Sequence, residues 1–265
     1  MPWGPTPPSS SGGSDASIVT PRVLHVTTAG DDSTGTGALT APFATLTKAL
    51  EAAWLTGSHR LIDLGANASP WETTLPMTNP WPDVTFRGCG PSLTTINIAT
   101  NRDISVKVVG HSARVNVNGQ GPAQVDGAGA IGNTGPSIYV TGAFGGSILS
   151  VGGTGGTGVS FIGGEGGGGS GGNGGTGGTI KLVNCVGMLE ARSGGGLGGA
   201  GGTGDGDGPP GSNGSKGNLY LLQTSLASAE CEELYFGCSN VEDTTSVYSI
   251  AGDYGGNANM SIPTP

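Results

Sequence analysis

The sequence predicts an all-β fold in which short strands recur in pairs and glycine-rich segments leave the chain between the pairs. The strand-like pairs are 104–109 with 115–117, 138–140 with 148–151, 180–183 with 188–191 and 219–222 with 231–236, and a single piece lies at 159–162. A β portion of similar length, followed each time by a long excursion, indicates a solenoid whose coils stack on one another. Charged residues make up only 11% of the chain because 55 glycines displace other residue types, which is unlike a disordered polyelectrolyte.

The glycine-rich excursions, at about 119–136, 152–178 and 193–217, follow a period of three. Two glycines separate the members of each series, which are Thr154 and Thr157, then Ser170, Asn173, Thr176 and Thr179, then Leu197, Ala200 and Thr203. An extended helix with three residues per turn places every third side chain on one edge, and glycine on the other edges lets backbones approach closely. The excursions are therefore predicted to pack side by side as polyglycine II-type helices.

The elements before the first pair have a different character. A strand is predicted at 22–26, a polar turn at 30–37, and a helix over 42–54 with apolar residues at a helical spacing and Pro42 near its first turn. Short strands follow at 61–64, 84–88 and 94–98. Residues 1–20 are rich in Pro, Ser and Gly and are predicted to be a flexible attachment segment, in which Trp3 could insert into a neighbour's pocket.

The segments AGDDSTGTG, APFATLTKAL, WETTLPMT, VTFRGCG and TTINIA, arriving in this order, resemble the N-terminal cap and first coils of pectate-lyase-like parallel β-helix proteins. The resemblance covers residues 22–118. It implies a single right-handed, single-stranded parallel β-helix domain over 21–265, with a short capping helix that covers the open end of the coil stack.

The glycine triplets look like those of phage tail-fibre tip adhesins, and they are also similar in repeat style to springtail ice-binding proteins. The phage resemblance implies a non-enzymatic virion structural protein: a fibre, spike or capsid-decoration component. We expect a homotrimer that assembles with other virion proteins in the host cytoplasm and contacts a host surface through a cell-surface glycan or protein, with no cofactor. An ice- or surface-binding protein and a glycan-active lyase or hydrolase remain as alternatives.

Composition and net charge argue against several classes of binding partner. A net charge of −9 argues against binding to nucleic acid or anionic membranes, which needs clustered basic residues. The longest apolar runs are too short to span a bilayer, and the N-terminus lacks the pattern of a signal peptide. Four cysteines at irregular spacing (Cys89, Cys185, Cys231 and Cys238) are expected to be reduced thiols rather than metal ligands.

The sequence offers few candidates for catalytic or metal-binding residues. If the chain is an enzyme, Glu190 and Glu230 are the candidate carboxylate pair, because they fall on consecutive predicted coils, although solvent-facing strand charges are the simpler interpretation. Asp205 and Asp207 are a weak candidate for a loop metal site, since Pro209 occupies what would be the third ligand position of a calcium loop.

Surface binding has its own candidates. Thr154, Thr157, Thr176 and Thr179 could form an array for ice or sugar, or simply decorate the packed helices. Sugar binding would also call for exposed aromatic rings, and strand spacing predicts that most of the available ones are in the core: Tyr139, Phe144, Phe161 and Tyr220.

Overall fold

The computed structural model describes residues 22–56, 59–74, 81–123, 129–158, 160, 167–203, 207–227, 229–232 and 234–237. These residues form a mostly β structure with one short helix, so the prediction of an all-β fold with parallel strands is confirmed. The first elements are β1 (Arg22–Val26), α1 (Leu46–Thr56), β2 (His59–Leu64), β3 (Trp71–Thr74), β4 (Thr85–Arg87), β5 (Thr95–Thr100), β6 (Ile104–Val108) and β7 (Arg114–Gln120). They are followed by β8 (Ile138–Thr141), β9 (Ser147–Val151), β10 (Ile180–Val183), β11 (Glu190–Gly194), β12 (Leu219–Leu222), β13 (Ala229–Glu230) and β14 (Leu234–Gly237).

The strands form two parallel sheets, and from β2 onward the chain alternates between them. One sheet has eight strands in the order β1-β2-β4-β6-β8-β10-β12-β14, and the other has six in the order β13-β11-β9-β7-β5-β3. Strand order therefore follows chain order in both sheets. Each passage of the chain adds one strand to each sheet, which places equivalent positions of successive passages side by side.

The core consists of side chains from alternate strand positions, as the period of two in a strand requires. In β5 the burial alternates strictly, with Ile96 and Ile98 inside. In the eight-stranded sheet the buried positions are in register across the strands: Ile104, Ile138, Ile180 and Leu219 form one row, and Val106, Val140, Leu182 and Leu221 form another. Fully burying such a side chain is worth about 1.5–3 kcal/mol, so these rows are a main source of stability.

The helix covers the first strands, and its contacts are with β1, β2 and β3. Its own Leu46, Leu50 and Ala53 are buried. It begins four residues later than Pro42, where the sequence predicted, because Phe43 is held in an extended pairing with β1: its N–H donates to His25 O over 2.9 Å. The hydroxyl of Thr45 then accepts a bond from Lys48 N and caps the helix.

Other predicted bounds also shift. The predicted strand at 231–236 is wrong, because β13 and β14 are two short strands that belong to different sheets. The predicted strand at 188–191 begins later, at Glu190, with Met188 in an isolated bridge. The piece at 159–162 lies almost wholly outside the described residues. The excursions leave and rejoin the strands within two residues of the predicted bounds.

An ion-paired row crosses the outward face of β1, β2 and β4. His25, Asp63 and Arg87 are directly in register on these neighbouring strands. Arg87 binds both oxygens of Asp63, with Nε at 2.9 Å and a terminal nitrogen at 2.7 Å, and His25 Nδ1 lies 3.3 Å from the same carboxylate. The hydrogen bonds from Arg87 lower the pKa of Asp63 below its ordinary value of 3.8, against a smaller opposing effect of burial.

This row predicts an acid-sensitive contribution to stability. Because the folded-state pKa of Asp63 lies below the unfolded one, the stabilisation is present above the ordinary carboxyl value and is lost as the pH falls through the lowered pKa. We expect Arg87→Met to remove this dependence, so that the free energy of unfolding falls less steeply than in the wild type from about pH 4 to about pH 2. Denaturant titrations at each pH measure it. Arg102→Met, at an exposed position, is the control, and an unchanged slope in Arg87→Met would contradict the assignment.

Candidate functional site

Five extended segments, here called arms 1 to 5, form a bundle beside the two sheets. Arm 1 (129–136) returns to β8, arms 2 (152–158) and 3 (167–178) leave β9 and return to β10, and arms 4 (195–203) and 5 (207–217) leave β11 and return to β12. In arms 2, 3 and 4 the non-glycine residues are wholly or partly exposed, whereas most of the glycines between them are buried. Exposure therefore follows the period of three that the sequence predicted.

Backbone hydrogen bonds join the arms at three-residue intervals. Returning arms bond to each other, as in Gly132 N to Asn173 O and Gly135 N to Thr176 O, both 2.8 Å. Outgoing arms 2 and 4 do the same, and the two kinds also bond across. Bonds across include Gly153 N to Asn133 O, Gly172 N to Gly156 O, Gly196 N to Gly175 O and Gly211 N to Gly199 O, at 2.7–2.9 Å. The bundle thus has two layers, one of outgoing arms and one of returning arms.

The number of glycines per triplet matches the number of neighbours. Arm 3 bonds to all four other arms, arms 2 and 4 each bond to three, and all three arms carry two glycines per triplet. Arms 1 and 5 bond to two arms each and carry one glycine per triplet. A Cβ on the interior glycines would overlap a neighbouring backbone carbonyl, as at Gly175 with Asn133 O. Glycine is required wherever two backbones meet, and the edge arms are free to carry side chains.

Among the described residues, arm 5 is the last arm of the returning layer. Gly171, Gly174 and Gly177 of arm 3 donate to it, and its own equivalent positions are Pro210, Asn213 and Lys216. Pro210 has no N–H to offer a further arm. The side-chain oxygen of Asn213 accepts a bond from Gly198 N of arm 4, at 3.1 Å.

Two buried serines fasten the bundle to the strands. Ser150 and Ser193 are in register on β9 and β11, and both are fully buried. The Ser150 hydroxyl donates to Pro136 O over 2.6 Å and accepts from Gly178 N over 3.1 Å. The Ser193 hydroxyl donates to Gly178 O over 2.5 Å and accepts from Gly217 N over 3.0 Å. The two hydroxyls therefore link the ends of arms 1, 3 and 5 in series.

The predicted threonine array is divided between the two layers. Thr154 and Thr157 belong to arm 2, in the outgoing layer, whereas Thr176 lies in arm 3 and Thr179 directly after it, on the returning side. Thr176 Oγ1 also lies 3.3 Å from the hydroxyl of Ser215. Each layer would therefore contribute only two of the four threonines to an array for ice or sugar.

The candidate carboxylates lie on adjacent strands of the six-stranded sheet. Glu230 is level with Arg192, and Glu190 lies two positions before that level, with its own side chain exposed. This offset and the usual strand spacing put their Cα atoms about 8 Å apart. Their catalytic role stays a prediction, and so does a metal role for Asp207, which is exposed, while Asp205 and Trp3 lie outside the described residues.

Within the described part of the chain, no group of three or more His, Cys, Asp or Glu side chains could hold a metal ion. None of the helices described there is long and apolar enough to cross a membrane. Cys89, Cys185 and Cys231 are free thiols, and burial raises the pKa of Cys185. Cys238 lies outside the described residues.

A cavity of about 390 Å³ lies where the chain leaves the eight-stranded sheet. Its walls come from the ends of β6, β8, β10 and β12 and the turns that follow them. The residues that line it are Val108, Gly110, His111, Thr141, Gly142, Asn184, Val186 and Gln223. The sequence analysis did not single out these eight residues as a site, because they are brought together only by the stacking of four successive turns.

Aromatic rings are closer to the surface than predicted. Tyr139 and Tyr220 flank Lys181 on the outward face of β8, β10 and β12, and both rings are half-buried, with the Lys181 ammonium 5.7 Å from the Tyr139 ring centre. Phe144 is 37% exposed, and its backbone forms an isolated parallel bridge with Val186. The expectation that most of these aromatics are core residues was therefore wrong, and Phe161 lies outside the described residues.

Comparison of the chain with protein-family models, curated proteins and solved structures finds no match. Inferences about function therefore depend on the chain's own residues and geometry.

Adjacent glycines provide a matched test of the bundle. A Cβ at Gly195 would overlap the carbonyl of Gly214, whereas a Cβ at Gly194 would have its nearest contacts at 3.8 Å, with side-chain atoms. We expect Gly195→Ala to lower the free energy of unfolding by about 3 kcal/mol through overpacking. We expect Gly194→Ala to change it by less than about 1 kcal/mol. Equal effects in denaturant titrations would show that the arms do not pack as described.

The hydrogen bonds of the Ser193 hydroxyl predict a loss of stability when that hydroxyl is removed. Ser193→Ala leaves Gly178 O and Gly217 N without the hydroxyl that bonds them, at a site that water does not reach. The expected loss is about 2 kcal/mol of unfolding free energy. Ser170→Ala, at an exposed position of arm 3, should stay within about 0.5 kcal/mol of the wild type. Hydrogen exchange should also be faster for Gly217 N–H in Ser193→Ala, and an unchanged rate would rule out the serine link.

Proposed function

We propose that this chain is a non-enzymatic structural component of a bacteriophage virion, a fibre, spike or capsid-decoration protein that mediates assembly and host-surface contact. In this proposal the two sheets are the walls of a right-handed, single-stranded parallel β-helix, and α1 is its N-terminal cap. The arms are polyglycine II-type helices, and the protein assembles as a homotrimer.

The strand order supports the β-helix. Strict alternation between two parallel sheets, with equivalent residues in register from one passage to the next, is what a coil with one strand per face requires. The contacts of α1 with the first three strands suit a cap, because an uncovered solenoid end exposes apolar core and unpaired strand edges.

The hydrogen bonds between arms support the polyglycine II assignment. A left-handed helix with three residues per turn rises about 3.1 Å per residue, so arm 3 would be about 37 Å long. It would present one side chain per turn and bond to neighbours at every third residue, as the arms here do. Neighbouring arms within one layer run parallel, and neighbouring arms of different layers run antiparallel, because each excursion runs out and back.

The observation that carries the functional proposal is the two-layer bundle itself. Its order depends on many backbone hydrogen bonds between glycine backbones, and its outward positions carry short, mostly uncharged side chains. Such an element offers a stiff surface of low charge and low side-chain entropy, which suits a particle component that must stay ordered outside the cell. The N-terminal segment 1–20, with Trp3, is proposed to attach the domain to another virion protein.

A glycan-active enzyme remains the second candidate, because Glu190 and Glu230 lie on adjacent strands within two positions of each other. Hydrolysis with retention or inversion needs two carboxyl groups about 5–10 Å apart. Under this alternative, Glu190→Gln would abolish polysaccharide cleavage. An ice- or surface-binding protein is a third candidate, and it predicts thermal hysteresis that is reduced by replacing Thr154 and Thr157 together.

The virion role is tested by the composition of particles. Mass spectrometry of purified virions should detect the chain in fixed proportion to the capsid or tail proteins, and light scattering of the pure protein should give three times the mass of one chain. A chain found in the lysate but never in particles would overturn the proposal.

The attachment role of the N-terminus can be tested separately. Deletion of residues 1–20, or the single change Trp3→Ala, should abolish incorporation into particles while leaving the thermal unfolding of the domain unchanged. A change at Pro7, Pro7→Ala, serves as a control in the same segment. Normal incorporation of the deletion variant would show that attachment occurs elsewhere.

A further inference from the structure

The described part of the bundle ends at a place where the fold would accommodate one more arm. The outgoing arms 2 and 4 leave β9 and β11, and β13 is the next strand of the same sheet. However, β13 ends at Glu230 and β14 already begins at Leu234, so no arm leaves β13. An arm in that place would lie beside arms 4 and 5, as arm 4 lies beside arms 2 and 3. This place is here called the sixth position.

Arms 4 and 5 carry backbone groups that would bond to an arm in the sixth position. In the interior, arm 2 donates N–H groups to arm 4, and carbonyls of arm 3 accept N–H groups from arm 4. The counterparts of these groups lie one passage further on, in arms 4 and 5, by the register of β9 with β11 and of β10 with β12. Among the described residues no backbone hydrogen bond is made by several of them: the N–H groups of Gly195 and Gly201 and the carbonyls of Gly208, Gly211 and Gly214.

Three side chains of arm 5 project into the sixth position. They belong to Pro210, Asn213 and Lys216, which are in register with Gly171, Gly174 and Gly177 of arm 3. A Cβ on Gly174 would overlap the carbonyl of Gly196 in arm 4, which is the outgoing arm that follows arm 3. The same direction from Asn213 leads into the place of the next outgoing arm. Side chains therefore stand in arm 5 where glycine is required in arm 3.

The hydrogen bond of Asn213 shows what one of these side chains does there. Its Oδ1 accepts from Gly198 N of arm 4 over 3.1 Å. The counterpart of Gly198 in arm 2 is Gly155, whose N–H donates over 2.9 Å to the carbonyl of Leu197 in the next outgoing arm. The side-chain oxygen of Asn213 therefore replaces a backbone carbonyl that an arm in the sixth position would supply.

We propose that Pro210, Asn213 and Lys216 close the bundle by occupying the sixth position, and that they prevent an extended glycine-rich segment of another chain from adding to arms 4 and 5. A row of unpaired backbone groups is a template on which a further chain can pair, and native proteins block such edges with proline, charge or covering side chains. Repeat structures likewise need terminal units that stop their growth. This inference goes beyond the virion role and does not depend on it.

The test uses the full-length chain and a labelled synthetic peptide of four Thr-Gly-Gly repeats. Replacing all three residues together, Pro210→Gly, Asn213→Gly and Lys216→Gly, gives arm 5 the glycines that arm 3 has at these positions. Fluorescence anisotropy should show that this triple variant binds the peptide at least about tenfold more tightly than the wild type does. A peptide of four Thr-Ala-Ala repeats should bind to neither protein, because methyl groups at the corresponding glycines of arm 4 would overlap neighbouring carbonyls.

A matched control changes the neighbouring residues of the same arm. Pro209→Gly, Ser212→Gly and Ser215→Gly together should leave the peptide bound as weakly as by the wild type. Equal peptide binding by the two triple variants, or by the wild type and the first triple variant, would overturn the proposal. Particle composition tests the virion role independently, so either proposal can fail alone.

Hydrogen exchange of individual amides keeps the proposal testable if a variant disturbs the fold. The N–H groups of Gly211 and Gly214 donate to arm 4 and report whether arm 5 is in place. Loss of their protection in the first triple variant would overturn the proposal, since the three side chains would then hold arm 5 rather than fill the sixth position. In the single variant Asn213→Ala, the N–H of Gly198 should exchange about tenfold faster than in the wild type. An unchanged rate there would show that Asn213 does not stand in for an arm.

Discussion

The bundle depends on the close approach of backbones that have no Cβ between them. Each interior arm bonds to three or four neighbours, and a methyl group at positions such as Gly175 or Gly196 would overlap a neighbouring carbonyl. A strand in a sheet bonds to neighbours on two sides, whereas the interior arms of this bundle bond to neighbours on three or four sides. The glycine content of this chain is the consequence: glycine is dense where arms are surrounded and sparse in arms 1 and 5, which lie at the edges.

The bundle is stable only because the strands fix the register of the arms. Long glycine segments lose more conformational entropy on ordering than any others, and they bury no apolar side chain in return. Successive passages of the chain through the two sheets bring the ends of successive arms together, and Ser150 and Ser193 join those ends with buried hydrogen bonds. The rows of Ile, Val and Leu between the sheets supply the hydrophobic stabilisation that the bundle lacks, so the two halves of the molecule have complementary roles.

The same stacking explains the cavity. A turn that recurs after each strand of the eight-stranded sheet places residues far apart in the sequence side by side, and His111 reaches Asn184 across the intervening turn at Gly142. Glycine is sufficient at a turn position that requires only the left-handed backbone conformation. Where it carries His, Asn or Gln in a left-handed conformation, the stack collects polar side chains at one corner. Function in such a fold is concentrated in turns, since the strands are constrained by pairing and packing.

Local structure follows from the sequence alone: the alternation of Ile96 and Ile98 with Thr95 and Asn97 gives a half-buried strand, and the X-Gly-Gly period gives extended arms with one exposed edge. The sequence also placed the excursions to within two residues. The start of α1 was missed because Phe43 pairs with β1 instead, and the division of 231–236 between two sheets was missed because one short apolar run fits either sheet. The sequence did not predict which arms are neighbours, that Thr154 and Thr176 lie in different layers, or that Thr141, Asn184 and Gln223 line one cavity. Periodicity fixes which side of an element a residue occupies, whereas contacts between elements depend on the register in which successive strands pair.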